Sequence, residues 1–547
     1  MPRWRKILFS LLAAVAIVAG VALTTSLIRK PDTCADGVER IDGECVGVNG
    51  EGYDFGTKEI ADVARAIARE NERIAKQPHV TVAMMMPLQS DREALRRQMR
   101  SDLQGAYLGQ RQANEGEGEP PKIRLVLANP GQDYGRQEKV VDMLLRMAAS
   151  PEDRLRAVTG FNLSLAATEA AVQRLTENRI PVLAARISGD RIANEDRPDG
   201  MAKLRFPGLA RILPTNYDAA QALANFNGER GRRNLRTVLV YDKRPDGYNE
   251  SLAKAFSRIE EKGPAGPAAM SFESPSIDEA GSTGNQFTQT ANNICDSEAD
   301  TVYFAGRTLH LRIFALKLAQ VGCKDRHYTI VSGSDAASLR QDMTDKDWAR
   351  LRGDGGRPKV TVQYAAPAHP DAWTTELRAW TKRWTAAHHR KPAERDLPQY
   401  LTEPKAALDT LRKLIDTTTH EGTKLGSVPT LDDSRTMLVH DGLLTIGKAL
   451  HQAQKGDSET VPSREDVGRQ CPVPPPRPGH QRPDLPHLGR QRLRQTGRDR
   501  RTRPGPPGPR HPQVRGSGLA DGQTAAEELR DPEQLTAVNA GATVGAR

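Results

Sequence analysis

The segment from Leu155 to Ser188, LRAVTGFNLSLAATEAAVQRLTENRIPVLAARIS, constrains the fold more than any other part of the chain. A short apolar run through Ala157 and Val158 stops at Gly160, and a polar turn follows. A helix pattern begins near Ser164, with Ala167, Ala170, Ala171 and Leu175 at i, i+3, i+4 and i+8. The apolar run Ile180-Pro181-Val182-Leu183 comes next. Strand, glycine turn, helix and strand make the unit of a parallel α/β sheet. The turn aims backbone N–H groups and the Ser164 hydroxyl at the carboxyl edge of the sheet, where a helix N-terminus receives a small anionic group.

The same alternation recurs on both sides. VTVAMMMPL after His79 predicts a buried strand, RQMRSDLQGAYLGQRQANE a helix, IRLVLANP (123–130) a strand and EKVVDMLLRMA a helix. A second series follows: strand LRTVLVYD (235–242), helix SLAKAFSRIEEKG, strand ADTVYFAG (299–306), helix LHLRIFALKLAQVG, strand and turn YTIVSGSDA (328–336), and strand KVTVQYAAP (359–367). Strands separated by helical stretches predict parallel sheets built from βαβ units. Their number exceeds one doubly wound domain and predicts two lobes. Residues 78–213 with 365–455 form lobe 1, and 214–364 form lobe 2. The crossings fall at LPTN (213–216) and at Tyr364-Ala365-Ala366-Pro367. Residues 57–75 carry Ile60, Val63, Ile67 and Ile74 near one helical face and read as a stalk, within a segment 31–77 that precedes the lobes.

That stalk follows an export signal. Arg3-Trp4-Arg5-Lys6 precedes a mostly apolar run from Ile7 to Ile28, and Arg29-Lys30 closes it. At ~1.5 Å per residue such a run crosses the ~30 Å hydrocarbon layer. Residues 1–30 therefore read as a transmembrane anchor with the remainder extracellular; the rival is a signal peptide cleaved after Gly20-Val21-Ala22. Either way the cysteines reach a disulfide-permissive compartment. Cys34 and Cys45 bracket an Asp- and Gly-rich loop and are expected to pair, and Cys295 and Cys323 are placed to pair as well. Cys471 is left over.

The formal net charge of +10 suggests a nucleic-acid partner until it is located. Between Arg469 and Arg515 stand twelve Arg, no Lys and two Asp, so the rest of the chain sums to zero. No basic face, and so no nucleic-acid partner, is implied. Residues 469–547 show neither a 3.6 nor a 2.0 period and read as a disordered tail. An Arg, Pro, Gly and Ala composition is also what high-GC coding sequence yields when read out of frame.

In order and spacing these motifs resemble the type I periplasmic solute-binding proteins, and among them the branched-chain amino-acid receptors of ABC importers. The resemblance spans about residues 78–455 and rests on VAMMMPLQS, GFNLS–helix–IPVLAARIS, RILPTNYDAAQAL, VYDKRPDGYNESLAKAF and DTVYFAG–helix–VGC–YTIVSGSDA. It implies a small-molecule ligand held between two hinged lobes and an ABC permease as partner; no cofactor is expected, and with no CxxC or clustered His beside them the cysteines read only weakly as metal ligands. It places Ser164 at the ligand carboxylate, Arg186 and Ser188 in the next strand-end loop, and Tyr248 over the ligand from the second lobe. It places Asp335 near the ligand ammonium and Gln89 and Ser90 at the cleft mouth; Arg307, after strand 299–306, is a further candidate.

The chain departs from the family pattern at two points. Arg186 replaces a small residue, which implies an additional anion on the ligand. The family's last strands fall where the Arg/Pro tail begins, which implies an uncovered edge on lobe 2. Plainer roles exist for the same residues. Ser164 is a natural helix N-cap, Asp335 can cap a helix starting at Ala336, Tyr248 can be packing, and Arg186 a solvated charge. GxSxG, GxxxxGK[ST] and HExxH are all absent, so catalysis is not expected. The reading is a membrane-tethered receptor that passes an amino acid or similar small anion to an importer; the alternative is a tethered sensor or scaffold that uses the same fold without transport.

Overall fold

The computed structural model describes residues 33–115, 121–196, 202–203, 205–229, 235–261, 263, 266–454, 461–470 and 535–539. Its first sheet contains β1 (Thr33–Ala35), β2 (Val38–Ile41), β3 (Glu44–Asn49), β4 (His79–Met85), β5 (Lys122–Asn129), β6 (Leu155–Gly160) and β7 (Val182–Ala184). A hairpin of β8 (Glu195–Asp196) and β9 (Ala202–Lys203) follows, and β10 (Leu209–Arg211) completes the sheet. The order is β1-β2-β3-β5-β4-β6-β7-β10. The five strands from β5 to β10 run parallel, and β1, β2 and β3 add an antiparallel meander at one edge. The second sheet is parallel throughout, in the order β12 (Met270–Phe272), β11 (Thr237–Asp242), β13 (Thr301–Ala305), β14 (His327–Ser332), β15 (Lys359–Ala366), β16 (Leu535–Asn539).

Helices cover both faces of each sheet, which is why the central strands read as continuous apolar runs. In β4, Val80, Val82, Ala83, Met84 and Met85 are all fully buried. On one face of the first sheet, Val82 and Leu125 pack with Val63 and Ile67 of helix Ala61–Ile74, Leu103 of helix Glu93–Glu115 and Leu443 of helix Arg435–Ala453. The other face packs Val158 and Val182 against Val140, Leu144, Val172 and Leu175. In the second sheet, Phe272, Phe287, Phe304 and Phe314 form a ring cluster with centroids 4.6–6.1 Å apart. Leu239 and Tyr303 face Leu252 and Phe256 on the opposite side.

The structure corrects several of the sequence expectations. Helix Ala61–Ile74 is no stalk, because its apolar face is built into lobe 1. Segment 31–77 is likewise not separate: β1, β2 and β3 belong to the lobe 1 sheet, and the Cys34–Cys45 bridge lies within their meander. Cys295 and Cys323 are also bonded, in lobe 2. Lobe 1 continues past residue 455, since helix Arg464–Gln470 buries Val467 in its core. The edge strand β15 is not bare, because Leu535–Asn539 pairs with it in parallel. Among the described residues no helix is long and apolar enough to cross a membrane; the run Ile7–Ile28 and Cys471 lie outside them, as does most of the tail.

Lobe 1 is closed by a return of the chain. Helix Arg435–Ala453 lies so near helix Glu93–Glu115 that a Cβ on Gly105 would meet the Thr436 carbonyl oxygen at 2.4 Å, and one on Gly109 the His440 carbonyl oxygen at 2.7 Å. Gly105→Ala is therefore expected to cost about 1–3 kcal/mol through overpacking, read as a lower urea midpoint with unchanged slope.

Candidate functional site

The loops at the carboxyl ends of the strands converge between the lobes, as open α/β sheets dictate. β4 delivers Gln89 and Ser90, β6 delivers Asn162 and Ser164, and β7 delivers Arg186 and Ser188. From the second sheet, β11 delivers Asp246 and Tyr248, β13 delivers Arg307, and β14 delivers Ser334 and Asp335. Two adjoining hollows result, of about 740 Å³ counted to its open mouth and about 390 Å³; Asn162, Arg186, Arg307 and Asp335 line both. All eight residues nominated from the sequence line one or the other. Gln89 and Ser90 are in the larger, and Ser164, Ser188 and Tyr248 in the smaller.

Ion pairs buried in the walls set the electrostatics. Arg307 donates to Asp246 through Nε (2.8 Å) and Nη2 (2.9 Å), and its guanidinium lies 4.6 Å over the Tyr248 ring. Burial alone would depress this guanidinium, but Asp246 and Asp335 outweigh it and hold its pKa above the usual value. Asp102 accepts from Arg186 Nη1 at 3.0 Å and from Arg435 Nη1 at 3.1 Å. Arg435 also donates to Gln98 Oε1 and to the Ser338 hydroxyl of lobe 2. Arg186 is thus neither a solvated charge nor a free cation for a ligand; Asp102 engages it, and burial together with Arg435 lowers its pKa.

The neutral candidates make local contacts. Ser164 is not an N-cap: helix Ala166–Glu177 starts after Leu165, and no side chain caps it. The Ser164 hydroxyl instead accepts from Gly189 N at 3.1 Å. A Cβ on Gly189 would fall 2.7 Å from Ser164 Cβ, and one on Gly247 of lobe 2 would fall 2.6 Å from the Ser164 carbonyl oxygen. Two glycines therefore let the lobes meet around this serine. Tyr248 is fully buried, and its hydroxyl accepts from Asp335 N at 3.2 Å. Asp335 caps a neighbouring helix rather than its own, accepting from Thr308 N and Oγ1. Burial raises the Asp335 pKa, but Arg307, Arg435 and Arg186 overcome it and hold the carboxyl below the usual range. Gln89 accepts from Cys45 N at 2.7 Å, so the disulfide-closed meander braces the cleft mouth.

Further contacts join the lobes: Ser334 Oγ to Ser188 Oγ (3.4 Å), Gln341 Nε2 to Asp433 Oδ2 (2.8 Å) and Arg244 to Asp133 (3.7 Å). Sequence reading missed Asp102, Asp133, Asp246, Asp278, Asp342 and Arg435. A signal existed for Asp102, a charge set within the apolar stripe Met99, Leu103, Ala106. Among the described residues no group of three or more His, Cys, Asp or Glu is placed to hold a metal ion.

No family model and no curated protein matches this chain. Solved structures do. A leucine-binding protein from Thermotoga maritima is 14% identical, with 72% of this chain and 87% of that one covered and a TM-score of 0.44. A substrate-binding periplasmic protein from Ralstonia solanacearum is 13% identical, with coverages of 72% and 88% and a TM-score of 0.46. An ABC-transporter solute-binding protein from R. palustris, in complex with benzoate, is 14% identical, with coverages of 72% and 85% and a TM-score of 0.43. The two-sheet architecture described above rests on this chain's own strand order.

Replacing Asp102 by Ala removes the carboxylate that two buried guanidinium groups share and is expected to cost about 3–5 kcal/mol in chemical unfolding. A pH-dependent effect is expected at Asp342, whose pKa burial raises against the opposing pull of Arg92 and Arg435. A carboxylate raised in the folded state penalises folding above its folded pKa, and the penalty fades as pH falls toward the unfolded value of about 3.9. The stability of Asp342→Asn relative to the parent chain should therefore improve as pH rises from acid to neutral. A flat difference in unfolding free energy across that window would contradict the assignment.

Proposed function

We propose that the chain is an extracytoplasmic solute-binding protein of an ABC importer, which takes an amino acid or similar small ligand into the cleft between its lobes. The observation that carries this reading is convergence: eight residues nominated from six strand-end loops of two sheets line one pair of adjoining hollows. The chemistry is that of binding rather than catalysis. Asp335, the Ser164 turn and the uncapped N-terminus of helix Ala166–Glu177 offer charged and polar partners to both ends of a dipolar ligand.

Closure would couple capture to delivery. The lobes meet through hydrogen bonds and ion pairs, and a solute bridging them adds contacts that exist only when they are shut. The apolar run Ile7–Ile28 supports attachment to, or export across, the cell membrane, with a permease as the partner of the closed form. A ligand present at 100 times its Kd should stabilise the chain by about 2.7 kcal/mol. Screening the purified protein by thermal denaturation against amino acids and organic acids is expected to give at least one upward shift in Tm. Absence of any shift across both panels would count against a solute receptor.

A further inference from the structure

Building on this solute-receptor reading, we infer that the ligand carries a cationic amine or amidinium group besides any α-ammonium, as a basic amino acid or a diamine does. Six aspartates line the two hollows, Asp102, Asp133, Asp278, Asp335, Asp342 and Asp433, against four arginines and no lysine. The arginines are also committed. Arg307 forms a two-pronged pair with Asp246, and Arg186 and Arg435 share Asp102. Arg92 stands 3.6 Å from Asp342 Oδ2. A carboxylate ligand entering here would meet more aspartates than arginines, although Arg186 Nε is buried without a hydrogen-bond partner.

Two of the acids each keep one buried carboxylate oxygen without a hydrogen-bond partner. The Asp342 side chain is only 4% exposed, its Oδ1 has no hydrogen-bond partner, and Arg92 lies beyond hydrogen-bond reach of its other oxygen. Asp133 Oδ1 is likewise unpartnered, and the Arg244 guanidinium is 3.7 Å from Oδ2. Asp278 of lobe 2 accepts from Ser276 and from Gln132, the residue beside Asp133 on lobe 1. Two carboxylates from opposite lobes therefore share one end of the larger hollow, where a cation would draw the lobes together. Burial raises the pKa of Asp133, with Asp278 adding to the effect, and burial also raises Asp342 and Asp433. At each of the three, burial outweighs the opposing pull of the nearby arginines.

Calorimetry on the full purified chain at neutral pH, with arginine, lysine, 1,4-diaminobutane, leucine and glutamate as titrants, tests this. At least one of the three basic compounds is expected to bind roughly tenfold or more tightly than leucine and glutamate. Asp133→Asn/Asp278→Asn should weaken that binding by a similar factor; Asp342→Asn serves as an independent second variant, and both are checked for cooperative melting. Tighter binding of leucine or glutamate than of any basic compound overturns the inference and leaves the receptor reading standing. So does full-strength binding of the basic compound by both variants. Silence of all five titrants, together with no hit in the wider thermal panel, overturns both.

Discussion

One carboxylate organises the centre of this molecule. Asp102 sits on helix Glu93–Glu115 with its side chain 1% exposed and accepts hydrogen bonds from Arg186 and Arg435. Those arginines come from a strand-end loop and from a helix more than three hundred residues further along the chain. A charge buried this deeply is tolerated only with partners, and its partners only with it. The trio thus locks three elements of lobe 1 in one arrangement. Through the Ser338 hydroxyl, Arg435 extends the lock to lobe 2. The cleft floor and the packing of lobe 1 are the same interaction seen from two sides.

A second ion pair plays the matching part in lobe 2. Asp246 accepts from Tyr248 N at the start of helix Gly247–Glu260 and receives both arms of Arg307, whose guanidinium lies over the Tyr248 ring. The ring is buried by its own packing and sets the height of the cleft wall; its hydroxyl then fixes the Asp335 backbone. Arg307 is paired with Asp246 and two further arginines with Asp102, so the selectivity of the site lies in the carboxylate oxygens and polar atoms left over. The glycines around Ser164 set how near the walls come together.

Local pattern revealed the strands, the crossing points and the loops that carry the site, because βαβ periodicity and strand-end position are short-range properties of the sequence. What escaped was pairing over distance. Helix Ala61–Ile74 has the same amphipathic face whether it stands alone or covers a sheet, and nothing within it names β5 as its neighbour. Arg186 reads as an unpaired charge until Asp102 is brought beside it. Asp335 stands one residue before Ala336, yet it caps the helix that begins at Thr308. The acid surplus in the cleft was illegible for the same reason: it emerges only when six loops and two helices meet.

The return of helices Arg435–Ala453 and Arg464–Gln470 to lobe 1 has a consequence for biosynthesis. The first lobe begins at residue 33 yet cannot complete the core around Val82, Leu103 and Leu125 until a segment more than three hundred residues later has emerged. Vectorial folding, in which an N-terminal domain matures while the rest is still being translated, is closed to a chain wired this way. Contacts of such long sequence separation are slow to form. The nascent first lobe therefore stays incomplete through most of synthesis, with part of its apolar surface uncovered.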